Sequence, residues 1–548
     1  MLPICCKWKS SNDAPVILHA VILFLCLLVV NVFLQVANNS YVSDFGAHPD
    51  EGAHVVTSLM VRDYLAGGFL ESSSPVAYAK SYYAIFPKVA IGHYPPLFYV
   101  IAGGWLLFAA TVESLLLFAA LLTSLCGLVT FMLGRLFMAR APAFAAALTF
   151  TGLPLTQQYT SLFMSDMMLL AGCLLSAAAF TKFMRHGRRL DSFLFGCWAT
   201  IAILTKSSGL LLAFVPGLAL LLARSLHLLK GRAIWLAPIV VMVVALPWSV
   251  FTYNITVEGV MNDGVGRYIG RSLPFFSSAI VEVCGVVVLG LACLQVMYRI
   301  VSVIVRRKAV TDAESVIIAL FISGFCFYLL VPAGLEERYL LVIMPSVVLL
   351  AFKAIETICF KIVNLLRRES VHGQRIHLCA VIVLSASICI HCFALMPKEA
   401  GGFSEIINVA GKFPADNGKA LLIVSDARGE GAIIAASALA SPRRPDPGVR
   451  VYRGSKVLAS SDWLGRNYKP VYDTVEGLRL CMSGKDFQFL AVDQGVPSGN
   501  RADYHMLVRQ LVSDYPGDFK EVARIPAFRR GGKKTYVILY RIAVEGSG

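Results

Sequence analysis

"YPPLFYVIAGGWLLFAA", residues 94–110, is apolar enough for a membrane but starts on a proline pair, and whether it crosses decides the topology of the whole chain. At 1.5 Å per residue the stretch from the proline pair on reaches only about 24 Å, against a hydrocarbon core near 30 Å. Charge settles the matter. If the stretch spans, the basic clusters at 135–140, 185–189 and 306–308 fall outside; if it lies along the interface, all of them fall in the cytoplasm, as the positive-inside effect requires. It therefore reads as an interfacial helix, with Tyr94, Tyr99 and Trp105 as headgroup anchors.

Working outward, the remaining apolar runs give eleven transmembrane helices, at 15–36, 114–134, 141–157, 166–184, 191–207, 208–225, 233–252, 276–299, 315–332, 339–360 and 376–396. The N-terminus then lies inside and the C-terminus outside, and the basic clusters at 224–232 and 367–375 also land inside. The first run is longer than a signal-peptide core and lacks a small-residue cleavage site, so it reads as a retained helix. Composition agrees: of 548 residues 57% are hydrophobic and 15% charged, where a soluble globule carries about a quarter charged.

From residue 397 the texture changes to strand-length apolar runs with frequent charge, Gly and Pro. This divides the chain into a membrane domain, 1–396, with a first outer loop at 37–113, and an extracytoplasmic domain, 397–548. Strands are expected at 420–425, 449–453, 487–492 and 535–540, with helices at 429–440 and 502–512, which makes an α/β sandwich. "SDARGEGA" carries neither a dinucleotide nor a Walker A pattern, so no nucleotide site is expected, and Asp426, Arg428 and Glu430 are its notable polar residues. The loop at 441–448, "SPRRPDPG", reads as basic.

The net charge of +15 is concentrated in the clusters between apolar runs, so it implies membrane orientation and no nucleic-acid partner. The 14 cysteines lie mostly in or beside the apolar runs and imply neither a disulfide framework nor a zinc site.

Charged residues gather on the outer rim. "HPDEGAHVV", residues 48–56, follows the first helix; Asp166 opens a helix from outside, Lys206 sits in the turn "LTKSSG", and "EERY", residues 336–339, opens another helix. A transporter more often places its charges near the bilayer midplane, whereas an enzyme acting on a membrane-bound substrate needs them at the rim.

"DEGAH" from Asp50, "GHYPPLFY" from Gly92, "SDMMLL" from Ser165, "ILTKSSGLLL" from Ile203 and "ERYLLVIMP" from Glu337 resemble, in order and spacing, the GT-C glycosyltransferases that use polyprenyl-phosphate sugars. The likeness is to the bacterial relatives of protein O-mannosyltransferases and of the lipid A aminoarabinose transferase, and covers roughly the first 360 residues. Two features depart from that family: Tyr94 separates His93 from the proline pair, and no arginine opens the helix after the interfacial segment.

The resemblance implies a polytopic α-helical membrane enzyme, with about eleven transmembrane helices, outer-face interfacial helices and a C-terminal soluble α/β domain. It would move a sugar from a polyprenyl-phosphate donor to a hydroxyl of a lipid, glycan or protein, with inversion, at the outer face of a bacterial inner membrane. Asp50 is expected as general base, with Glu51 orienting the acceptor or sharing a divalent cation. Lys206, Arg338 and Tyr94 are expected to bind the donor phosphate, with His93, Glu337 and Tyr339 as further pocket residues. A divalent metal cation would sit on Asp50 and Asp166. Tyr339 reads equally as an aromatic-belt residue, and His48 and His54 as surface histidines. The alternative is a transporter or flippase of lipid-linked glycans, which has no need of a carboxylate base.

Overall fold

The computed structural model describes residues 14–72, 74–90, 92–259, 264–365, 371–414, 419–441, 447–462, 465–484, 487–529 and 534–543. Most of the expected basic loop at 441–448 and part of the basic cluster at 367–375 lie outside them.

The expected helical membrane fold is present. Among the described residues seven helices are long and apolar enough to cross a membrane: Ile17–Ala37, Val112–Gly134, Asp166–His186, Arg232–Phe251, Val265–Ile304, Asp312–Leu330 and Glu337–Val363. The other four expected spans are also helical, but shorter or broken. Residues 141–157 become Arg140–Gly152 and Pro154–Thr160, parted at Leu153, whose extended ψ precedes Pro154. Residues 208–225 become the tight turns Ser207–Ala213 and the helix Val215–Leu222. The helix Arg189–Thr205 has only 17 residues, about 25 Å. At the end of the bundle the helix Val371–Cys392 is apolar over 379–392. Hydropathy reports burial in apolar surroundings without reporting whether the backbone stays straight, so a run broken by Pro still reads as a span. The Val265–Ile304 helix likewise breaks at Gly285, which takes a φ of +78°.

The 94–110 stretch forms a helix of only ten residues, Leu97–Leu106, about 15 Å long. It packs against Glu51–Asp63, the helix that follows the first span, and their contact buries Val55, Leu59, Phe98, Tyr99 and Ala102. Gly103 faces Val61 and Arg62 of that helix, so the two backbones lie close together.

The C-terminal residues build a six-stranded mixed sheet in the order β1-β7-β8-β6-β2-β3, where β1 is Ala400–Gly401, β2 Ala420–Val424, β3 Arg450–Arg453, β6 Phe489–Asp493, β7 Phe519–Arg529 and β8 Thr535–Ile542. Strands β4, Ala459–Ser460, and β5, Lys469–Pro470, form a separate two-stranded ribbon. The strands β3, β2 and β6 run parallel, and β6, β8, β7 and β1 pair antiparallel. The expected strands and both expected helices are there. The long strand β7 and the helices Phe403–Gly411 and Val475–Gly484 were not anticipated, because charged residues interrupt the apolar pattern in β7 ("FKEVARIPAFR") and its exposure does not alternate cleanly.

This sheet does not carry a core of its own on both faces. One face closes over Leu458, Leu478, Tyr504, Val508 and Leu511. The other joins a single apolar cluster that runs from Leu421, Ile423 and Phe489, through Ile433 and Ile434 of the helix Ala427–Ala440, into Phe45, Ala53 and Val56 of the first loop. The helices Glu51–Asp63 and Ala427–Ala440 touch backbone to backbone: a Cβ on Gly52 would land inside the van der Waals shell of the Gly431 carbonyl, and one on Gly46 would meet the Ala432 side chain. A Cβ on Gly431 would have as its nearest neighbour Lys88 Cε at 3.3 Å, a side chain that can shift.

Overpacking a fitted contact costs about 1–3 kcal/mol, whereas alanine in a helix interior gains up to about 1 kcal/mol over glycine. Thermal denaturation of the purified protein is therefore expected to show Gly52→Ala melting clearly below the wild type and Gly431→Ala close to it.

Candidate active site

The acidic pair sits where the chain turns into the Glu51–Asp63 helix, with Asp50 in the N-cap position. An aspartate there ordinarily accepts a hydrogen bond from a backbone N–H of the first turn. Asp50 makes no such bond. Its carboxylate turns outward instead and accepts from the Tyr94 hydroxyl at 2.9 Å and from Arg338 Nη1 at 3.1 Å, while the Asp50 N–H donates to His48 Nδ1 at 3.1 Å. The Asp50 side chain stays 21% exposed and that of Arg338 4%, so the pair faces a small opening.

Arg338 serves two carboxylates at once. Beyond Asp50, its Nε lies 2.6 Å from Glu336, whose carboxylate also meets His48 Nε2 at 3.2 Å. Burial raises the Asp50 carboxyl, but the Arg338 guanidinium outweighs it with help from His48, His54 and Tyr94, and holds Asp50 well below the usual carboxylate range. Burial likewise opposes ionisation of Glu336, and His48 and Arg338 overcome it, so its carboxyl is lowered too. The Tyr94 hydroxyl is pushed far up by burial and by the Asp50 charge, and so remains a donor.

Also beside Tyr339 lies a second pair, Lys206 Nζ to Asp166 Oδ1 at 2.7 Å. The Lys206 ammonium stands 5.1 Å from the centroid of the Tyr339 ring and the Arg338 guanidinium 5.5 Å, so both cations lie close to one aromatic ring. That ring stacks on Tyr328 at 4.8 Å, with planes 2° apart, and its hydroxyl donates to the Ala333 carbonyl at 2.8 Å. Tyr339 is thus buried inside the site and is no headgroup-belt residue.

His54, one turn after Asp50, is fully buried. Its ring packs on Tyr94, Phe98 and Tyr99, with Nδ1 2.9 Å from the Tyr99 hydroxyl, and burial pushes it down to about 3, which keeps it neutral. It is not a surface histidine. His93 lies within electrostatic reach of Asp50 and Glu258 and is also lowered by burial.

Asp50, Tyr94, Arg338, Lys206, Asp166 and Tyr339 therefore come together, and two expected members do not. Glu51 is fully buried on another side of its helix, ion-paired to Lys398 at 2.7 Å. Glu337 is exposed, and its neighbour Glu336 takes the place in the network. Tyr94, expected on the donor phosphate, uses its hydroxyl on Asp50.

His48, Glu336 and Lys398 were not singled out as site residues from the sequence. A glutamate beside a glutamate in "EERY" carries no local mark of which one faces inward.

The donor set does not suit the expected divalent cation. Among the described residues no three histidine, cysteine or carboxylate side chains come together to hold a metal. Asp50 and Asp166, the two proposed ligands, each face a cationic side chain instead.

The ends of the helices that gather these residues are opposite those that carry the basic clusters. Asp166 opens a helix that ends on Arg185 and His186, and Lys206 closes one that begins at Arg189.

A family model described as dolichyl-phosphate-mannose-protein mannosyltransferase matches residues 93–251. It takes in most of "GHYPPLFY", "SDMMLL" and "ILTKSSGLLL", and leaves "DEGAH" and "ERYLLVIMP" outside. A search of curated protein sequences finds no match. Among solved structures the chain is similar to ArnT from Cupriavidus metallidurans bound to undecaprenyl phosphate, at 15% identity and a TM-score of 0.57, over 97% of this chain and 99% of that one. The apo state of the same protein gives 14% and 0.56, over 96% and 98%. The oligosaccharyltransferase of Archaeoglobus fulgidus tethered with an acceptor peptide containing the NVT sequon gives 11% and 0.52, over 94% of this chain and 74% of that one.

Replacing Arg338 with glutamine leaves Asp50 and Glu336 without their cation, a loss of about 1–3 kcal/mol given their partial exposure. Because the folded Asp50 carboxyl is depressed, this contribution is present above the unfolded value near 3.9 and fades as pH falls through the folded one. Melting curves between pH 3 and 7 should show Arg338→Gln well below wild type at pH 7, with the gap narrowing toward acid. The likenesses run along nearly its whole length, so the chain shares the fold of ArnT from Cupriavidus metallidurans.

Proposed function

We propose that this protein is an integral membrane glycosyltransferase that moves a sugar from a polyprenyl-phosphate donor to a hydroxyl of a lipid, glycan or protein at the outer face of the membrane. The observation that carries the reading is the Asp50 carboxylate, released from its capping position and held ionised at a part-open site by Arg338 and Tyr94. The solved relative that holds undecaprenyl phosphate supports the donor class.

In this reading the acceptor oxygen attacks the anomeric carbon as the bond from that carbon to the donor phosphate oxygen breaks, which inverts the centre. The acceptor proton passes to Asp50, and the bonding electrons leave with the phosphate. A carboxylate so well stabilised is a weak base, so the proton moves late, once the attacking oxygen has begun to carry positive charge. Lys206 and Arg338, both near the Tyr339 ring, stabilise the charge that grows on the departing phosphate. Arg338 offers a planar fork and Lys206 a point charge, and no step requires a metal.

Orientation follows from charge. The basic clusters at 135–140, 185–189 and 306–308 favour the cytoplasmic side, which puts the site, the first loop and the C-terminal domain outside and fits a bacterial inner-membrane enzyme with a cytoplasmic N-terminus.

The test is incubation of the purified protein with a panel of lipid-phosphate sugars and hydroxyl acceptors, with mass spectrometry of products and recovered lipid. Wild type is expected to release the lipid phosphate and glycosylate one acceptor class. Asp50→Asn is expected to lose at least a hundredfold in turnover with normal expression and membrane insertion. Unchanged turnover by Asp50→Asn removes the base assignment, and movement of intact donor without glycosylation favours a flippase.

A further inference from the structure

The two acids of the "DE" pair serve different masters. Successive helical residues point about 100° apart, so Asp50 and Glu51 cannot both face one pocket. Glu51 lies inside the protein, where its carboxylate accepts from Lys398 Nζ at 2.7 Å, from the Ala47 N–H at 3.1 Å and from the Phe163 N–H at 3.3 Å. All three donors are protein groups and both charged side chains are essentially buried, at 0% and 1% exposure, so no room remains there for a substrate.

Lys398 belongs to the short connection between the last helix, which ends at Cys392, and strand β1. It is held on several sides: its N–H donates to the Asn38 carbonyl at 2.7 Å, its carbonyl accepts from Ser43 Oγ at 2.7 Å, and its ammonium stands 4.8 Å from the Phe45 ring. Two further holds flank the same stretch of the first loop. The Asp44 carboxylate accepts from the Phe403 and Ser404 N–H groups at the start of the helix Phe403–Gly411, and the Asp44 N–H donates to Ala400 O at 2.8 Å. Gly46 and Gly52 press against the helix Ala427–Ala440. Residues 44–52 are therefore fixed to C-terminal elements before and after Asp50.

We propose that Glu51 and Lys398 are positioning residues through which the C-terminal domain sets Asp50 against Arg338 and Tyr94. The proposal rests on Asp50 as the base for its functional meaning, but its geometry stands apart from turnover. Lys398 pairs with Glu51 while Asp50 pairs with Arg338, so the hold of Lys398 on Asp50 runs through the backbone of the loop. Cut free of this hold, the Asp50 side chain moves away from Arg338 and Tyr94 and its protonation returns toward the range of an ordinary aspartate, near 4.

Two full-length variants test this in lipid nanodiscs. Glu51→Gln with Lys398→Gln removes both buried charges together and so leaves neither one unpaired, and Gly52→Ala displaces the same segment by a different route. A water-soluble carbodiimide labels protonated carboxyls, and peptide mass spectrometry reads its reaction at Asp50 without any substrate. At pH 5 both variants are expected to label at Asp50 at least fivefold faster than wild type, while Lys398→Arg, which keeps the charge, labels as wild type does. Hydrogen exchange at 44–63 should rise at least tenfold, with strands β2 and β6 still protected.

Wild-type labelling of Asp50 in either folded variant overturns the proposal, as does loosening spread evenly through the C-terminal sheet, which marks a purely structural pair. Should the double variant not fold, Gly52→Ala decides alone on the same two readings, and an unfolded Gly52→Ala also counts against a role confined to Asp50. Active Asp50→Asn with the expected labelling would refute the base and leave the positioning intact.

Discussion

A guanidinium shared between two carboxylates is the constraint around which the site is built. Arg338 starts a helix whose next residues are buried throughout, and an unpaired cation there would carry a large desolvation cost. Asp50 and Glu336 offset it from two distant parts of the chain, and His48 and Tyr94 complete their hydrogen bonding. Every element that supplies one of these groups must arrive in register for the charges to balance, so the first loop, the 94–106 segment and the helix after "EERY" are tied to one another by electrostatics as well as by packing.

Lys206 and Asp166 repeat this logic at shorter range, one pair closing and opening helices that pack on each other. Tyr339 lies close to both cations. Its stacking on Tyr328 and its hydrogen bond to Ala333 fix the ring. A phosphate brought to these cations would find positive charge already held in place by Asp50, Glu336 and Asp166, which lowers the reorganisation needed at the moment of reaction.

Much of this was legible in the chain. Long apolar runs mark membrane helices because burial in hydrocarbon needs about 20 residues, and charges at their ends stand out against that background. Asp50, Asp166, Lys206 and Arg338 were found for this reason, and the short helix after the proline pair was read from its length. What stayed hidden depends on contacts between residues far apart. Nothing local says that Asp50 turns to the pocket and Glu51 to the interior, since the answer comes from Lys398, 347 positions later. The choice of Glu336 over Glu337 is set by where His48 lies. A boundary at residue 397 follows a real change in texture, yet the apolar cluster crosses it, because the solvent-like composition of the tail does not disclose that the first loop covers one of its faces.

That shared cluster also orders events during synthesis. The helix beginning at Glu51 leaves the ribosome long before the helix ending at Ala440 that covers it. At about 5–20 residues per second the interval is roughly 20 to 80 s. Through that period Phe45, Ala53 and Val56 have no cover and Glu51 no counter-charge. The nascent chain thus carries this part of the loop uncovered until the segment that buries it has been made.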